Sequence, residues 1–451
     1  MANRMNESID PTRVSPKRWV VLSFLLVICF VSHFNRASIT NAGDERIMEQ
    51  YGISPARMGM VYSSFLIVYT IFMIPGGWLI DRRGPGFSLA LMLGGSAVFC
   101  AATGSLGFGH LPPGAVWVAL LLVRAAMGLF STPLHPGAAR SIDQWFASRE
   151  TGVANGLVTG ASILAYAVVH TVFGRLIDWI GWPGAFLLTG GATFILAICW
   201  WWVSEGGPAS GSAEGPATSR LTQKTQVESP PHVVSILASP PVDRPASRWC
   251  ARELVLLTLS YAAVGYFQYL FFYWLHYYFD QVLRMDKIQS RYYAGLPSLA
   301  MAAAMPVGGW LMGRLESNAK GSGKRFVLPL LSMLASAACL LAGLGAARTP
   351  WVVSWFTAAL GFLGLCESAF WVTAIELGGS GGKRAGMSAA IMNTGGNGIG
   401  LLAPMLTPLI SRRFGWGGGL CVGALVAVAG AMCWLGIRPR QRAETRAAQG
   451  G

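Results

Sequence analysis

Apolar residues in this chain come in long runs separated by short polar stretches. About twelve of these runs approach the ~20 residues that span the hydrocarbon core of a bilayer. They lie near 18–42, 57–80, 86–108, 114–136, 151–174, 182–203, 252–279, 291–315, 325–346, 351–375, 385–410 and 416–438. Residues 204–249 break the pattern. This stretch is rich in Pro, Ser, Gly and Ala and has no helical periodicity, so it reads as a flexible loop. The layout predicts an all-α membrane protein of twelve transmembrane helices in two six-helix pseudo-repeats. The expected parts are an N-terminal tail (1–17), a first half (18–203), a central loop (204–250), a second half (251–438) and a C-terminal tail (439–451).

Composition supports that layout. The chain is 53% hydrophobic and 12% charged, and the charged share is about half the ~25% of a soluble domain. Its 56 glycines suit membrane helices, whose backbones approach closely over small residues. Net charge is +14, which on a soluble protein would suggest nucleic acid as a partner. In a polytopic chain, Lys and Arg concentrate in cytoplasmic loops instead. The clusters Arg13/Lys17/Arg18, Arg82/Arg83, Arg140/Arg149, Lys320/Lys324/Arg325, Lys383/Arg384 and Arg438/Arg440/Arg442 fall where an even-numbered bundle with both termini inside predicts. Arg46, Arg284, Lys287, Arg291, Arg412 and Arg413 fall on the other side, so the asymmetry is moderate. The expectation is a multi-pass protein of the cell membrane, in a bacterium the inner membrane, with both termini and the central loop cytoplasmic. The polar start before the first run does not read as a cleavable signal peptide. No Cys spacing suggests a metal site, and no cofactor is implied.

The two halves carry a common string. GGWLIDRRG begins at Gly76 and GGWLMGRLE at Gly308, 232 residues later and close to half the chain length. Parallel repeats joined by a hydrophilic loop are the arrangement of major facilitator transporters. GWLIDRRG resembles the signature of that superfamily between helices two and three. FNRASITNA, LVRAAMGLFSTPLHPGAARSIDQWFASRETGVANG and MNTGGNGIGLLAPMLTPLI resemble its anion:cation symporter branch, the carriers of sugar acids and other organic anions. The resemblance covers most of both halves. It implies a small organic anion as substrate, alternating access, and gating by Asp81 with Arg82 and Arg83 at a helix end.

Departures from that branch matter as much. Relatives show Tyr-x-Asp-Arg in helix one, where this chain has His33-Phe34-Asn35-Arg36. Relatives place a Glu in helix four, where this chain has Ser131 between Arg124 and Pro133. The arginines are kept, but both carboxylates that the branch uses for proton coupling are replaced.

Ionisable groups inside apolar runs are functional candidates by default. Arg36 and Arg124 each offer a guanidinium fork that matches a carboxylate and stays charged in any pocket. The alternative for Arg124 is to bond a neighbouring helix. Glu367 is the one acid deep in a predicted run. A carboxyl withdrawn from water can take and release a proton, so Glu367 reads either as a proton-coupling site or as a structural carboxylate bonded to a neighbouring helix. His33 lies one turn from Arg36 and shares its face. His135, His170 and His276 read as hydrogen-bonding residues of the bundle. Tyr266, Tyr269, Tyr273 and Tyr277 recur at helical spacing, as a pocket stripe or as aromatic packing. Tyr69, Gln268, Asn393 and Asn397 complete the candidate substrate-binding set.

No phosphate-cradling loop or nucleophile motif is present in the sequence, so the chain does not read as an enzyme. The expectation is a monomeric secondary transporter of a small organic anion, a sugar acid or other carboxylate, embedded in the lipid bilayer. Coupling stays open between H+, Na+ and none, which leaves symport, exchange and uniport. The reading from a different class is an anion-sensing receptor without net transport.

Overall fold

The computed structural model describes residues 17–109, 111–146, 148–205, 248–317, 326–377 and 385–437. Most of the expected central loop (206–247) and of the two tails lies outside the described residues. All regular structure among them is helical. In chain order the helices are α1 (Lys17–Ala42), α2 (Met48–Tyr51), α3 (Pro55–Ser105), α4 (Pro113–Ser131), α5 (Leu134–Trp145), α6 (Ser148–Glu205) and α7 (Arg248–Tyr277). They continue with α8 (Lys287–Ser317), α9 (Val327–Leu344), α10 (Thr349–Leu377), α11 (Ala385–Gly400) and α12 (Leu402–Cys433). A π-helical turn, Gly43–Ile47, joins α1 to α2 without a break.

Nine stretches of the described residues are long and apolar enough to cross a membrane. Three of them hold 51, 52 and 49 residues, about 75 Å at 1.5 Å per residue and more than twice the bilayer core. Each is interrupted by a glycine at positive φ: Gly84 (78°), Gly181 (71°) and Gly415 (72°). That conformation is open to glycine and strained for other residues, and it lets the chain double back. Gly76 and Gly95, on either side of the Gly84 break, both pack on the end of α4, against Thr132 and Phe130. In α6, Trp182 Nε1 donates to Gln50 Oε1 (2.9 Å), whereas Trp200 Nε1 donates to the Gly86 carbonyl (3.0 Å) near the first break. The second limb of α6 therefore runs from one end of the bundle to the other. With these stretches counted as two crossings each, the described residues make twelve.

The internal repeat is visible in packing. Arg82 Cζ lies 4.2 Å from the Trp78 ring centroid, and Arg314 Cζ lies 4.1 Å from that of Trp310. Gly76 and Gly308, at matching positions, each pack tightly on the neighbouring long helix, against Thr132 and Leu365. Apolar side chains such as Leu122, Ile195 and Leu425 stand more than half exposed on the outside, as a lipid-facing surface requires.

The two halves meet at the end opposite the start of α1. There Gly59 of α3 packs on the Pro404 backbone, and Gly295 of α8 on that of Ala167. Ser63 Oγ donates to the Leu401 carbonyl at 2.9 Å. Every ion pair between halves among the described residues lies at this end. The molecule is thus sealed at one end, with the candidate site below the seal.

Candidate functional site

Arg36 sits two turns before the end of α1 and is 7% exposed. Aromatic rings surround it. Its Cζ lies 5.0 Å from the ring centroid of Phe65, 5.8 Å from that of Tyr69 and 5.2 Å from that of Tyr269. Its Nε donates to the Tyr273 hydroxyl across the two halves (3.3 Å), and its Nη2 has no protein partner. Phe65 and Tyr69 come from α3, one turn apart and stacked at 6.1 Å. Tyr269 and Tyr273 come from α7, also one turn apart. Ring faces hold a guanidinium by cation–π attraction while leaving N–H groups for another acceptor.

Arg124 is 1% exposed. It spends its fork on the backbone of α1: Nη2 donates to the Arg36 carbonyl (2.6 Å) and Nη1 to that of Asn35 (3.4 Å). It also lies 5.6 Å from the Phe65 ring. In this state it bonds a neighbouring helix and fixes the segment that carries Arg36. Among the described residues no Asp or Glu reaches ion-pair distance of Arg36 or Arg124. Two guanidinium charges are therefore buried with no protein counter-ion. Such burial is costly unless a partner anion is supplied.

The other candidates distribute as follows. Tyr69 stands beside Arg36. His33 is 7% exposed, bonds the Cys29 carbonyl through Nδ1 (2.9 Å), and lies 5.2 Å from the His135 ring and 5.9 Å from that of Tyr166. The Tyr stripe divides. Tyr269 and Tyr273 gather at Arg36, Tyr277 packs on Trp274 and Trp416, and Tyr266 is 3% exposed with its hydroxyl unpartnered. Gln268 is half-buried, with its amide 3.8 Å from Met301 Sδ. Asn397 accepts from the Tyr269 hydroxyl (2.6 Å) and donates to Asn393 Oδ1 (3.1 Å), so the asparagine pair reaches Arg36 only through Tyr269. Glu367 accepts from the Tyr261 hydroxyl (2.8 Å) and from Trp371 Nε1 (3.2 Å), and its Oε2 has no partner. Its contacts lie within the second half and do not reach either arginine. Asn35 donates to Thr193 Oγ1 (2.7 Å) and Ser131 Oγ to the Met127 carbonyl (2.8 Å). Asp81, Arg82 and Arg83 are exposed at the unsealed end, where Asp81 makes no ion pair among the described residues.

Sequence reasoning missed one group. Glu367 reads from the sequence as the one deep acid, yet Asp44 and Glu45 are 5% and 2% exposed. They sit on the π-helical turn that prolongs α1 beyond the first apolar run. The charged string GDER ended that run at 42, although Ile47, Met48 and Tyr51 continue helical spacing and signal the extension. Arg291, placed by sequence in a loop, is 3% exposed and bonds Glu45 and Asp178.

The sequence matches the profile of the Major Facilitator Superfamily over residues 25–394. This chain belongs to that superfamily. Within this transporter superfamily, which is not one of enzymes, a Bacillus subtilis protein named as a probable galactarate/D-glucarate transporter, GudP, is 26% identical, over 91% of this chain and 88% of its own. A D-galactonate transporter of Escherichia coli is 22% identical, covering 96% and 98%. A protein of Cupriavidus necator named as a probable sulfoacetate transporter, SauU, is 25% identical, covering 88% of each. A bacterial homologue of the human lysosomal transporter Spinster, solved inward-facing and unoccupied, superposes with a TM-score of 0.66 at 16% identity, over 94% of this chain and 95% of that one. The likeness to the solved structure establishes the facilitator fold.

Proposed function

We propose that this protein carries a small organic anion, a sugar acid or similar carboxylate, across the cell membrane by alternating access, with the carboxylate held on Arg36. One observation carries the reading: Arg36 and Arg124 are buried at the junction of the halves with no protein carboxylate to balance them. An anion that docks on the open Nη2 supplies that balance through charge-assisted hydrogen bonds. The hydroxyls of Tyr69, Tyr269 and Tyr273 suit a hydroxylated substrate, with His33, Gln268, Asn393 and Asn397 as the further polar side chains of the candidate set. The names of the relatives, galactarate/D-glucarate, D-galactonate and sulfoacetate transporters, agree with this anion class.

In this reading the chain works as a monomer in a bacterial inner membrane. Both termini and the loop at 204–250 face the cytoplasm, and the half at 18–203 rocks against that at 251–438. The sealed end then faces outward, and Asp81 with Arg82 and Arg83 stands at the released cytoplasmic gate. The test is uptake of labelled D-glucarate, galactarate, D-galactonate and sulfoacetate into proteoliposomes. Saturable uptake of at least one, absent from empty liposomes, is expected. Binding without uptake across the whole panel would favour a sensor and defeat the transport reading.

A further inference from the structure

We propose that Asp44, Glu45 and His276 form a proton-binding site between the two halves, and that the proton held there couples the anion's movement. The proposal rests on the transport reading above.

The cluster joins two halves that are distant in sequence. Asp44 and Glu45 come from the turn after α1, and His276 from the end of α7. Their side chains are 0%, 0% and 1% exposed. His276 Nδ1 lies 3.3 Å from Asp44 Oδ2, and its Nε2 lies 3.4 Å from Glu45 Oε1. The second contact is within ion-pair distance but its geometry is not that of a hydrogen bond, and Nε2 is a buried polar atom without a partner. Both ring nitrogens therefore face carboxylate oxygens. A neutral imidazole has one N–H and one lone pair, so it would aim its lone pair at an ionised carboxylate. One further proton, on the ring or on the carboxylate it faces, converts that repulsion into a second hydrogen bond. The site is built to hold one proton more than neutral histidine and two ionised acids supply.

The surroundings do not remove this need. Glu45 is also held bidentately by Arg291 Nε (2.8 Å) and Nη2, and the same guanidinium bonds both oxygens of Asp178. One cation thus serves two acids before Asp44 is counted. Arg46, half-buried, stands 3.6 Å from Asp178 and makes no ion pair with Asp44 or Glu45. Asp280, on the chain just after His276, adds a further negative charge that acts on the ring. His170 stacks on His276 with centroids 5.1 Å apart and uses Nδ1 on Asn41 Oδ1 (2.6 Å), so it takes no part in balancing the acids. Tyr62 donates to Asp44 Oδ1 at 3.2 Å and cannot neutralise it.

Position gives the proton a coupling role. Opening the sealed end must part Asp44 and Glu45 from His276 and Arg291, which lie on opposite halves. The separated groups meet water on that side and exchange protons with it. Resealing without the proton would bury uncompensated negative charge, which is unfavourable. The proton taken from outer water onto the His276–carboxylate pair thus favours the sealed state found here. The cluster also touches the anion site. The Tyr62 ring lies 5.4 Å from that of Tyr273, whose hydroxyl accepts from Arg36. The proton leaves to water on the other side once the opposite end is open, and no other bond changes. The carboxylate positions lost at Asn35 and Ser131 need not be refilled by Glu367.

The test is the ratio of D-glucarate accumulation under an inside-alkaline gradient to D-glucarate exchange at equal pH. The ratio should fall about tenfold or more in Asp44→Asn and in His276→Gln. Glu49→Gln, which alters an exposed acid at the same end, should keep the wild-type ratio. Wild-type accumulation that ignores the gradient while exchange is retained overturns the proposal, as does loss in Glu367→Gln alone with Asp44→Asn and His276→Gln unchanged. Absence of exchange defeats the transport reading instead. A measurement without anion then decides: spin labels on Glu49→Cys and Gln289→Cys should report closer distances on lowering the pH from about 8 to about 5, and His276→Gln should abolish the change. Distances that ignore pH in the labelled parent overturn the proposal.

Discussion

At the scale of the residue, the account turns on how each guanidinium is used. Arg36 keeps its Nη2 without a protein partner, while Arg124 gives its own N–H groups to two carbonyls of α1. Lysine in place of Arg36 keeps the charge but loses the fork. Arg36→Lys should retain weak binding, with affinity reduced about tenfold or more, as measured by substrate-protected thermal shift. Arg124→Ala should behave differently. It removes a charged second donor from the Asn35 and Arg36 carbonyls, which keep only their partners within α1, a loss of about 1.5–3 kcal/mol per bond. A lower melting temperature in detergent, together with weakened binding, is the expected result. Unchanged stability with lost binding would instead place Arg124 in direct contact with the anion.

At the scale of the element, closure depends on small residues where helices of opposite halves touch. A Cβ on Gly59 would collide with the Pro404 backbone, and one on Gly295 with that of Ala167. Overpacking typically costs about 1–3 kcal/mol, enough to shift a balance between open and sealed states by about fivefold or more. Gly295→Val should therefore slow transport and raise thiol labelling of cysteines placed at the sealed end. Transport and labelling at wild-type levels would show that α6 and α8 need not meet there. The twelve crossings were legible in the sequence because length and hydropathy define a membrane helix with little help from context. The π-helical turn at Gly43–Ile47 was less legible. Asp44 and Glu45 look like loop residues until His276 and Arg291, more than two hundred positions away, are brought beside them.

At the scale of the whole molecule, the repeat and the charge distribution give one topology. Cysteines introduced within 206–247 should resist an impermeant thiol reagent in intact cells and react in inverted vesicles. Labelling from outside would reverse the orientation and exchange the two gates. The candidate site was legible in part. Arg36, Tyr69 and Tyr269 come together in the structure; the sequence marks Arg36 by its charge inside an apolar run and Tyr269 by helical spacing. Arg124 was open between pocket and helix bonding, and Glu367 between proton coupling and helix bonding, because periodicity fixes a face but not what stands opposite.

The central claim is that Arg36 holds the carboxylate of a transported anion. Counterflow of labelled D-glucarate into proteoliposomes preloaded with unlabelled D-glucarate tests it with no dependence on a coupling ion. Hydrogen bonds to a charged group contribute about 1.5–3 kcal/mol each, so removing the fork should reduce apparent affinity about a hundredfold. Wild type should show saturable counterflow and Arg36→Ala should show none above empty liposomes. Counterflow in Arg36→Ala with apparent affinity within about twofold of wild type, less than the loss of a single such bond, would contradict the account.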